Sequence, residues 1–351
     1  MSDQRTPAGG MDIDQAAIAA AVRRLEAGEL VSFPTETVYG LGADAENPSA
    51  VAKIYAAKGR PSNHPVIVHL AEGADLSHWA SEIPAEATAL VQAFWPGPLT
   101  LILPRAARIP DAVSGGQDSI GLRCPAHPVA QALLRAFRKG KGGLAAPSAN
   151  RFGHVSPTTA QHVRDEFGAG PDSPVPVVLD GGQSEVGIES TILDLSRMAT
   201  HGPVLLRPGQ VSARRIADVI GVMPRLPDDA APRASGTLDA HYAPSAPVAL
   251  VDEYMLQSTL ERLAGAGRRV AVMRRSHADL GEALAHCVLP EDAAGYAHDL
   301  YAALRAMDEL HPDIILVEAP PQGGDWLGVN DRLRRAAHDS RGVLDRLLGG
   351  G

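Results

Sequence analysis

Apolar residues in the first two thirds of the chain occur in short runs of strand length, several of them rich in β-branched residues. The run PVIVHL is nearly continuous, which is typical of a strand covered on both faces. Several runs follow one another with no helix between them, so the sequence predicts a mixed sheet and not a purely parallel one. The predicted strands are LVSF, PVIVHL, LTLIL, SIGLR, GLAA, VPVVLD, STILDL and VLLR.

Helical periodicity separates some of these strands. DIDQAAIAAAVRRLEAG carries an apolar stripe and predicts an amphipathic helix. NPSAVAKIYAAKG predicts a second helix, with Asn47 as N-cap and Pro48 at the first helical position. Further helices are predicted around residues 85–94, 127–138 and 157–166.

The pattern changes between residues 221 and 247, where the sequence contains five prolines and no apolar periodicity. We interpret this segment as a linker stiffened by proline. Beyond it, PVALV, RVAVM and DIILVEA predict strands, and LQSTLERLAGAG and YAHDLYAALRAMDEL predict helices. We therefore expect a disordered tail at 1–11, a first α/β domain at 12–220, the linker at 221–247 and a smaller Rossmann-like α/β domain at 248–346.

The composition is that of an ordinary globular protein, with 45 % apolar and 21 % charged residues. No run approaches the roughly eighteen apolar residues that cross a membrane, and MSDQRTPAGG lacks the apolar stretch of a signal peptide. We therefore expect a cytoplasmic protein without a membrane partner. Cys124 and Cys287 are too few for a disulfide framework or a zinc site.

The distribution of charge is more informative than the net charge of −9, which predicts that the surface as a whole repels nucleic acid. Residues 47–71 contain three lysines or arginines and no acid, and residues 119–164 contain seven and no acid. We interpret these two basic windows as a sign of a local anion site. A solvated, positively charged helix face is the alternative.

Polar or basic stretches follow several predicted strands, and ligands of open α/β sheets bind where strands end. No P-loop, dinucleotide fingerprint, zinc-protease helix or G-x-S-x-G elbow occurs in the sequence, so none of these chemistries is indicated. The stretches are PTETVYGLG, KGRPSNHPVIVH, SIGLRCP, APSANRFGHVSPT, GIESTI, LLRPG and HYAP.

Two of these stretches suit an anion, although each has a plainer explanation. Lys58 and Arg60 lie two residues apart at a helix exit, so both can face one phosphate group. A positive charge that favours the helix C-terminus is the alternative. Ser156 precedes Pro157 and is predicted as the N-cap of a helix, whose free N–H groups either bind an anion or are simply capped.

Three further residues end predicted strands. Arg123 and Arg207 favour an anionic ligand, because arginine is rarely buried without a partner. His69 is a candidate pocket residue, with a structural histidine as the alternative.

Taken together, six stretches of the first domain resemble, in the same order, the threonylcarbamoyl-AMP synthase family, whose catalytic module is the YrdC-like domain. The resemblance covers about residues 12 to 212, and HYAP with the second α/β domain resembles the long, two-domain form of that family. It implies a YrdC-like twisted mixed sheet with a concave active-site face. The six stretches are FPTETVYGLG, KGRPSNHPVIVH, FWPGPLTLIL, GLRCP, APSANRFGHVSPT and ESTI.

The resemblance also implies a reaction, in which L-threonine, bicarbonate and ATP give L-threonylcarbamoyladenylate and diphosphate. This product is the first intermediate of the N6-threonylcarbamoyladenosine modification of tRNA, and a partner transferase complex would complete the modification. No covalent nucleophile is implied, because a carbamate oxygen attacks the α-phosphorus directly. Mg²⁺ would accompany ATP and be held mainly by its phosphates, with no organic cofactor.

Roles for individual residues follow from the same resemblance. Thr35 and Thr37, the two threonines of FPTETVYGLG, are thereby assigned to the substrate pocket and not to a turn. The threonine pocket would comprise Thr35, Thr37, His69, Arg123 and Ser190. ATP would contact Lys58, Arg60, His64, Ser119, Ala146, Ser148, Asn150, Ser156, Arg207 and Tyr242.

One position departs from the family pattern, because His64 precedes Pro65 where many members have asparagine. The role of Tyr242 requires the linker to fold back over the nucleotide.

Two alternative functions stay open. Carbamoyl transfer through a carbamoyl-adenylate occurs in hydrogenase maturation proteins, but these contain zinc fingers, which two cysteines cannot build. An RNA-binding module is disfavoured by the net charge and by an aromatic content of 4 %.

Overall fold

The computed structural model describes residues 13–238, 240–276 and 280–349. The tail predicted at residues 1–11 lies outside these ranges. The described residues form two α/β units, each organised around its own sheet.

The first sheet is mixed, as the succession of strands predicted. Its nine strands lie in the order β7-β1-β2-β6-β3-β5-β4-β8-β9, with parallel pairs β1–β7, β3–β5 and β4–β8. The strands are β1 (Val31–Phe33), β2 (Gly40–Asp44), β3 (Ile67–Leu70), β4 (Leu99–Pro104), β5 (Ser119–Arg123), β6 (Gly143–Ala145), β7 (Val177–Val178), β8 (Thr191–Asp194) and β9 (Val204–Arg207).

Strand register determines which polar residues come together. β3 and β5 are parallel neighbours, and His69 lies opposite Arg123 in their ladder. The carboxyl ends of these two strands are about fifty residues apart in sequence, but they lie side by side in the sheet. Ligands of α/β sheets bind at such carboxyl ends.

Strand β2 was not predicted, because Gly40 and Gly42 hide its periodicity. A Cβ atom on Gly42 would lie 2.8 Å from the ring of Phe33 on the neighbouring strand. The glycine therefore lets the aromatic ring pack against the strand backbone.

Seven helices of the first unit cover this sheet. Asp14 caps the first and Asn47 the second, as the sequence predicted for Asn47. The helices are α1 (Gln15–Glu26), α2 (Pro48–Lys58), α3 (Ala85–Phe94), α4 (Pro128–Ala136), α5 (Ala160–Phe167), α6 (Met198–His201) and α7 (Ala213–Ile220).

The predicted start of α5 is wrong. Thr159, not Ser156, is the N-cap, and its hydroxyl accepts a hydrogen bond from the main-chain N–H of His162. The hydroxyl of Ser156 is committed elsewhere, since it donates to Glu189. The helix therefore begins three residues later than its Ser-Pro sequence suggested.

The second unit is a parallel four-stranded sheet in the order β10-β13-β11-β12, with helices on both faces. Strand β12 and helices α10 and α11 were not predicted. The elements are β10 (Val248–Val251), α8 (Glu253–Gly265), β11 (Val270–Arg274), β12 (Ala285–Val288), α9 (Ala293–Asp308), β13 (Ile314–Glu318), α10 (Leu327–Ala336) and α11 (Ser340–Leu347). None of the described helices is long and apolar enough to cross a membrane.

The two units pack tightly against each other. Val155 and Ile188 of the first belong to the same apolar cluster as Leu300 and Leu333 of the second. Arg305 of α9 forms a half-buried ion pair with Glu166 of α5 at 2.9 Å. The described part of the segment 221–247 contains neither helix nor strand, in agreement with its irregular sequence.

Candidate active site

A narrow pocket lies at the strand ends of the first sheet and beneath the 221–247 segment. Nine of the fifteen residues assigned from the sequence line it, including all five of the threonine set. The described lining is Thr35, Thr37, Val38, Gly40, Ile67, His69, Arg123, Ala146, Pro147, Ser148, Glu189, Ser190, Arg207, Ser235, His241 and Tyr242.

Thr35 and Thr37 have different structural roles in this pocket. Thr35 Oγ1 accepts hydrogen bonds from the main-chain N–H groups of Thr37 and Val38, both at 3.2 Å. The expectation that neither threonine forms the turn is therefore wrong for Thr35, whose hydroxyl closes the turn while also lining the pocket. Thr37 Oγ1 accepts instead from Nη1 of Arg123 at 2.9 Å.

Arg123 is held in place by Glu36, a site residue that was not predicted from the sequence. Nη2 of Arg123 donates to Oε1 of Glu36 at 2.6 Å, and Oε2 of Glu36 accepts from the main-chain N–H of Ala126 at 3.0 Å. Nε of Arg123 donates to the carbonyl of Gly97. The guanidinium is thus oriented on several sides while it still faces the pocket.

His69 is a neutral, buried imidazole. Burial, reinforced by the positive charge of Arg123, lowers its pKa to about 3. Nδ1 has no hydrogen-bond partner among the described residues. A neutral ring that lines an anion pocket is suited to contact a substrate by hydrogen bonding.

Ser190 and Arg207 form the opposite wall. The hydroxyl of Ser190 lies 2.8 Å from that of Thr100. Arg207 donates from Nε and Nη2 to the carbonyl of Ser190 and from Nη1 to the carbonyl of Ser235 at 2.8 Å. A buried cation therefore joins the sheet to the 221–247 segment.

Two more buried cations lie directly behind the lining. Lys58 Nζ donates to the carbonyl of Ser148 at 2.6 Å and to that of Asn150. Burial and the neighbouring charge of Arg60 lower the pKa of Lys58 well below its usual range. Arg60 donates to the carbonyl of Pro65 and reaches the hydroxyl of Ser235 at 3.5 Å.

Tyr242 closes the pocket from the 221–247 segment. Its side chain is almost fully buried, and its hydroxyl reaches the carbonyl of Gly236 at 3.4 Å. Gly236 has φ +71°, and a Cβ atom there would lie 1.9 Å from the hydroxyl of Tyr242. The close approach of the segment to the pocket therefore requires glycine.

The other assigned ATP residues surround the pocket without lining it. Asn150 uses its amide group to bond the carbonyls of Arg151 and His154. Ser119 lies in an adjacent cavity that is also covered by Ser235. The ring of His64 packs edge-on against Phe152, outside the described lining.

The basic windows are only partly explained by this pocket. Lys58, Arg60 and Arg123 are buried in it or near it. Arg135 forms an exposed pair with Glu72, and Arg138 pairs with Asp44 and Glu46. The alternative of a solvated basic face is therefore correct for part of the second window.

The arrangement can bind anions and orient them. Four buried cations converge with hydroxyl groups and a neutral imidazole, while Glu189 carries the only carboxylate in the described lining. No three histidine, cysteine, aspartate or glutamate side chains are grouped to hold a metal ion in the described ranges.

Two family models match the chain in succession. The Sua5/YciO/YrdC model, described as telomere recombination, matches residues 23–209. The model described as the C-terminal domain of threonylcarbamoyl-AMP synthase matches residues 211–338.

Relatives of known name match nearly the full length. The threonylcarbamoyl-AMP synthase of Pyrococcus abyssi is 38 % identical over 338 residues, which cover 93 % of this chain and 95 % of the relative. The threonylcarbamoyl-AMP synthase of Bacillus subtilis is 40 % identical over 332 residues, which cover 91 % and 92 %.

The fold is also similar to solved structures. P. abyssi Sua5 complexed with L-threonine superposes with a TM-score of 0.84 at 37 % identity, covering 94 % of this chain and 96 % of that one. A P. abyssi Sua5 variant, in which a neighbouring histidine and tyrosine are replaced by alanine, gives a TM-score of 0.82 at 36 % identity, covering 92 % and 93 %. This chain has one His-Tyr pair, His241-Tyr242, and it lines the pocket. By sequence over more than nine tenths of its length and by fold, the chain belongs to the threonylcarbamoyl-AMP synthase family.

Proposed function

We propose that this chain is an L-threonylcarbamoyladenylate synthase. It joins L-threonine, bicarbonate and ATP, and it releases diphosphate. The threonine amine and bicarbonate form a carbamate with loss of water, one carbamate oxygen attacks the α-phosphorus of ATP, and the bond to diphosphate breaks.

The observation that carries this proposal is the convergence of buried cations and hydroxyls at one end of the sheet. Lys58, Arg60, Arg123 and Arg207 are each at most 6 % exposed. Buried cations need anionic partners. Glu36 balances Arg123 alone, and Glu189 is paired with Arg332, so a triphosphate beside an amino-acid carboxylate would supply the further negative charge. The reaction itself needs positioning and neutralised charge and does not need a nucleophile.

The threonine end of the pocket is formed by Thr37, His69, Arg123 and Ser190. A carboxylate is the natural ligand for the free N–H groups of Arg123. His69 and the hydroxyl of Ser190 offer neutral hydrogen bonds to the threonine side chain or to the carbamate. The binding of L-threonine by P. abyssi Sua5 supports this assignment.

The ATP end is formed by Lys58, Arg60 and Arg207, with Ser148 and Tyr242 nearby. Mg²⁺ enters with ATP, because the described wall offers no group of carboxylates to hold the ion and phosphate oxygens suit it. The ion contributes charge neutralisation on the phosphates.

The product would serve a partner transferase complex that modifies tRNA, and the cytoplasm is the proposed compartment. The chain itself needs no tRNA contact for this step, which agrees with its net charge of −9.

The proposal is tested by following diphosphate release from ATP. Release is expected only when L-threonine and bicarbonate are both present, and omission of either should abolish it. Diphosphate release that is indifferent to threonine contradicts the proposal. Turnover of carbamoyl phosphate with ATP in place of threonine and bicarbonate would instead support the carbamoyl-transfer alternative.

A further inference from the structure

Helix α10 of the second unit reaches the wall of the active-site pocket. Arg332 is 0 % exposed. It donates from Nε to Oε2 of Glu189 at 2.8 Å and from Nη2 to the main-chain carbonyl of Glu189 at 3.1 Å. Its Nη1 donates to Asp331 at 2.8 Å and to the carbonyl of Pro208 at 2.9 Å. One arginine therefore holds both the backbone and the carboxylate of a pocket residue.

Glu189 is an ionised acid in the wall of an anion pocket. Its Oε1 accepts from the hydroxyl of Ser156 at 2.5 Å, and its Oε2 also accepts from the hydroxyl of Tyr301 at 2.9 Å. Burial by itself raises the pKa of Glu189, but the charges of Arg332 and Arg207 and the hydrogen bonds from Ser156 and Arg332 lower it to about 2. A negative charge at this place repels anionic substrates unless it is compensated.

The same helix also holds the segment that closes the pocket. Arg335 donates to the carbonyl of Leu238 and accepts, through its own carbonyl, from the main-chain N–H of His241. The guanidinium of Arg332 lies 5.5 Å from the ring centroid of Tyr242. Helix α10 is therefore attached to two walls of the pocket.

The charged and titratable groups around Glu189 come from several elements. They are Lys58 of α2, Arg207 of β9, His241 and Tyr242 of the 221–247 segment, Tyr301 of α9, and Arg332 and Asp331 of α10. Asp331 also pairs with Arg334 and Arg335, so it stays compensated when Arg332 is replaced. Lys58 and Arg207 belong to the proposed ATP end. Without Arg332, these two cations are the remaining charges that can compensate Glu189, and they become less available to phosphate.

We propose that Arg332 is a positioning residue for ATP, which neutralises Glu189 so that Lys58 and Arg207 are left to the triphosphate. This inference rests on the function proposed above and assigns part of the ATP site to the second unit. A buried ion pair contributes little to stability compared with apolar packing. The Arg332–Glu189 pair is therefore poorly explained by stability alone, and its position in the pocket wall favours a role in substrate binding.

The inference is tested with the full chain by calorimetric titration of a non-hydrolysable ATP analogue with Mg²⁺. In Arg332→Met the charge is lost and the volume kept, and the Kd is expected to rise about tenfold or more. Arg332→Met/Glu189→Gln removes both charges, and its Kd is expected to return to within about threefold of the unsubstituted chain. Because Glu189→Gln also removes the structural cost of an unpaired buried charge, L-threonine binding by the same variants is the second readout. A merely structural role weakens the binding of threonine and of the ATP analogue alike in Arg332→Met, whereas the inference expects a change for the ATP analogue alone.

Two further variants keep the test decisive if Arg332→Met folds poorly. Tyr301→Phe removes one hydrogen bond to Glu189 and should weaken binding about twofold to fivefold. Arg334→Met is the matched control on the same helix, because Arg334 is 61 % exposed and bonds Asp331 without reaching Glu189. Its Kd should not change.

The outcomes separate the two proposals. No binding of the ATP analogue by the unsubstituted chain overturns the proposed function and, with it, this inference. Binding by the unsubstituted chain, with Arg332→Met at the same Kd or with no recovery in the double variant, overturns the inference alone.

Discussion

Arg123 and Glu36 form a buried ion pair with 2.6 Å between Nη2 and Oε1, although 87 positions separate them in sequence. The pair joins the end of β5 to the turn that follows β1. Because Nη1 of the same guanidinium reaches Thr37, Glu36 sets the direction in which Arg123 faces the pocket.

We expect Glu36→Gln to impair the use of threonine. The neutral amide no longer balances Arg123, so the guanidinium loses its fixed orientation and kcat/KM for threonine should fall about tenfold or more. The KM for ATP should change much less. Diphosphate release measured against each substrate checks this. Glu72→Gln, which breaks the exposed pair with Arg135, is the matched control. Equal losses for threonine and ATP in Glu36→Gln contradict the assignment.

Lys58 is expected to gain protonation when ATP binds. Burial and Arg60 lower its pKa in the free protein, and a triphosphate nearby raises that pKa again. Calorimetric titrations in buffers of different ionisation enthalpy should therefore show proton uptake on ATP binding that grows as the pH is raised. Lys58→Met should abolish the uptake and weaken ATP binding about tenfold or more.

Lys53→Met is the control for this experiment, since Lys53 lies on the same helix and bonds the carbonyl of Gly28 outside the pocket. It should retain both the affinity and the proton uptake. Proton uptake that persists unchanged in Lys58→Met rules out Lys58 as its source.

Gly236→Ala should reduce activity by more than the strain of placing alanine at a positive φ explains. The new Cβ atom would collide with the hydroxyl of Tyr242, which closes the pocket. Gly221→Ala carries a similar positive φ with nothing within 4 Å, so it reports the backbone cost of about 1 to 2 kcal/mol without the collision. Steady-state rates and thermal unfolding of both variants check this. Equal activity in the two variants would show that the segment does not need this close approach.

Stability should fall as the pH is lowered from 6.5. Burial lowers the pKa of His69 and His241 to about 3 and of His162 to about 4. The unfolded chain therefore binds more protons than the folded chain below pH 6.5. The buried His69 and His241 each cost up to about 1.4 kcal/mol per pH unit, and the partly buried His162 costs less. Glu166 and Glu189, with pKa values of about 2, add their own loss only below about pH 4.5.

Urea denaturation between pH 6.5 and 5 measures this slope. His162→Asn keeps an acceptor for the main-chain N–H of Thr158 and should reduce the slope by less than about 1 kcal/mol per pH unit, because solvent screens this partly buried histidine. A free energy of unfolding that does not change in this window contradicts the neutral state of the buried histidines.

The strands, the second helix and the polar strand ends could be predicted from the sequence, because apolar runs, Asn-Pro capping and strand-end cations are local signals. The five threonine-set residues line one pocket, and each lies within three residues of the end of a strand. Strand β2 could not be predicted, because its glycines serve close packing against Phe33 and carry no periodicity.

The partners of the site residues could not be predicted, because they come from distant parts of the chain. Nothing near Glu36 in sequence indicates Arg123, and nothing near Glu189 indicates Arg332. The sequence predicts Ser156 as a helix cap because Ser-Pro is a good local capping sequence, but its hydroxyl donates to Glu189 in the folded chain. Tertiary contacts decided each of these cases.

Mass spectrometry of the nucleotide product tests whether one pocket joins threonine, bicarbonate and ATP. With carbon-13 bicarbonate, L-threonine and ATP, we expect a threonylcarbamoyl adenylate that is heavier by one carbon label and forms together with diphosphate. A nucleotide product that lacks the label, or that forms equally well without threonine, contradicts the account.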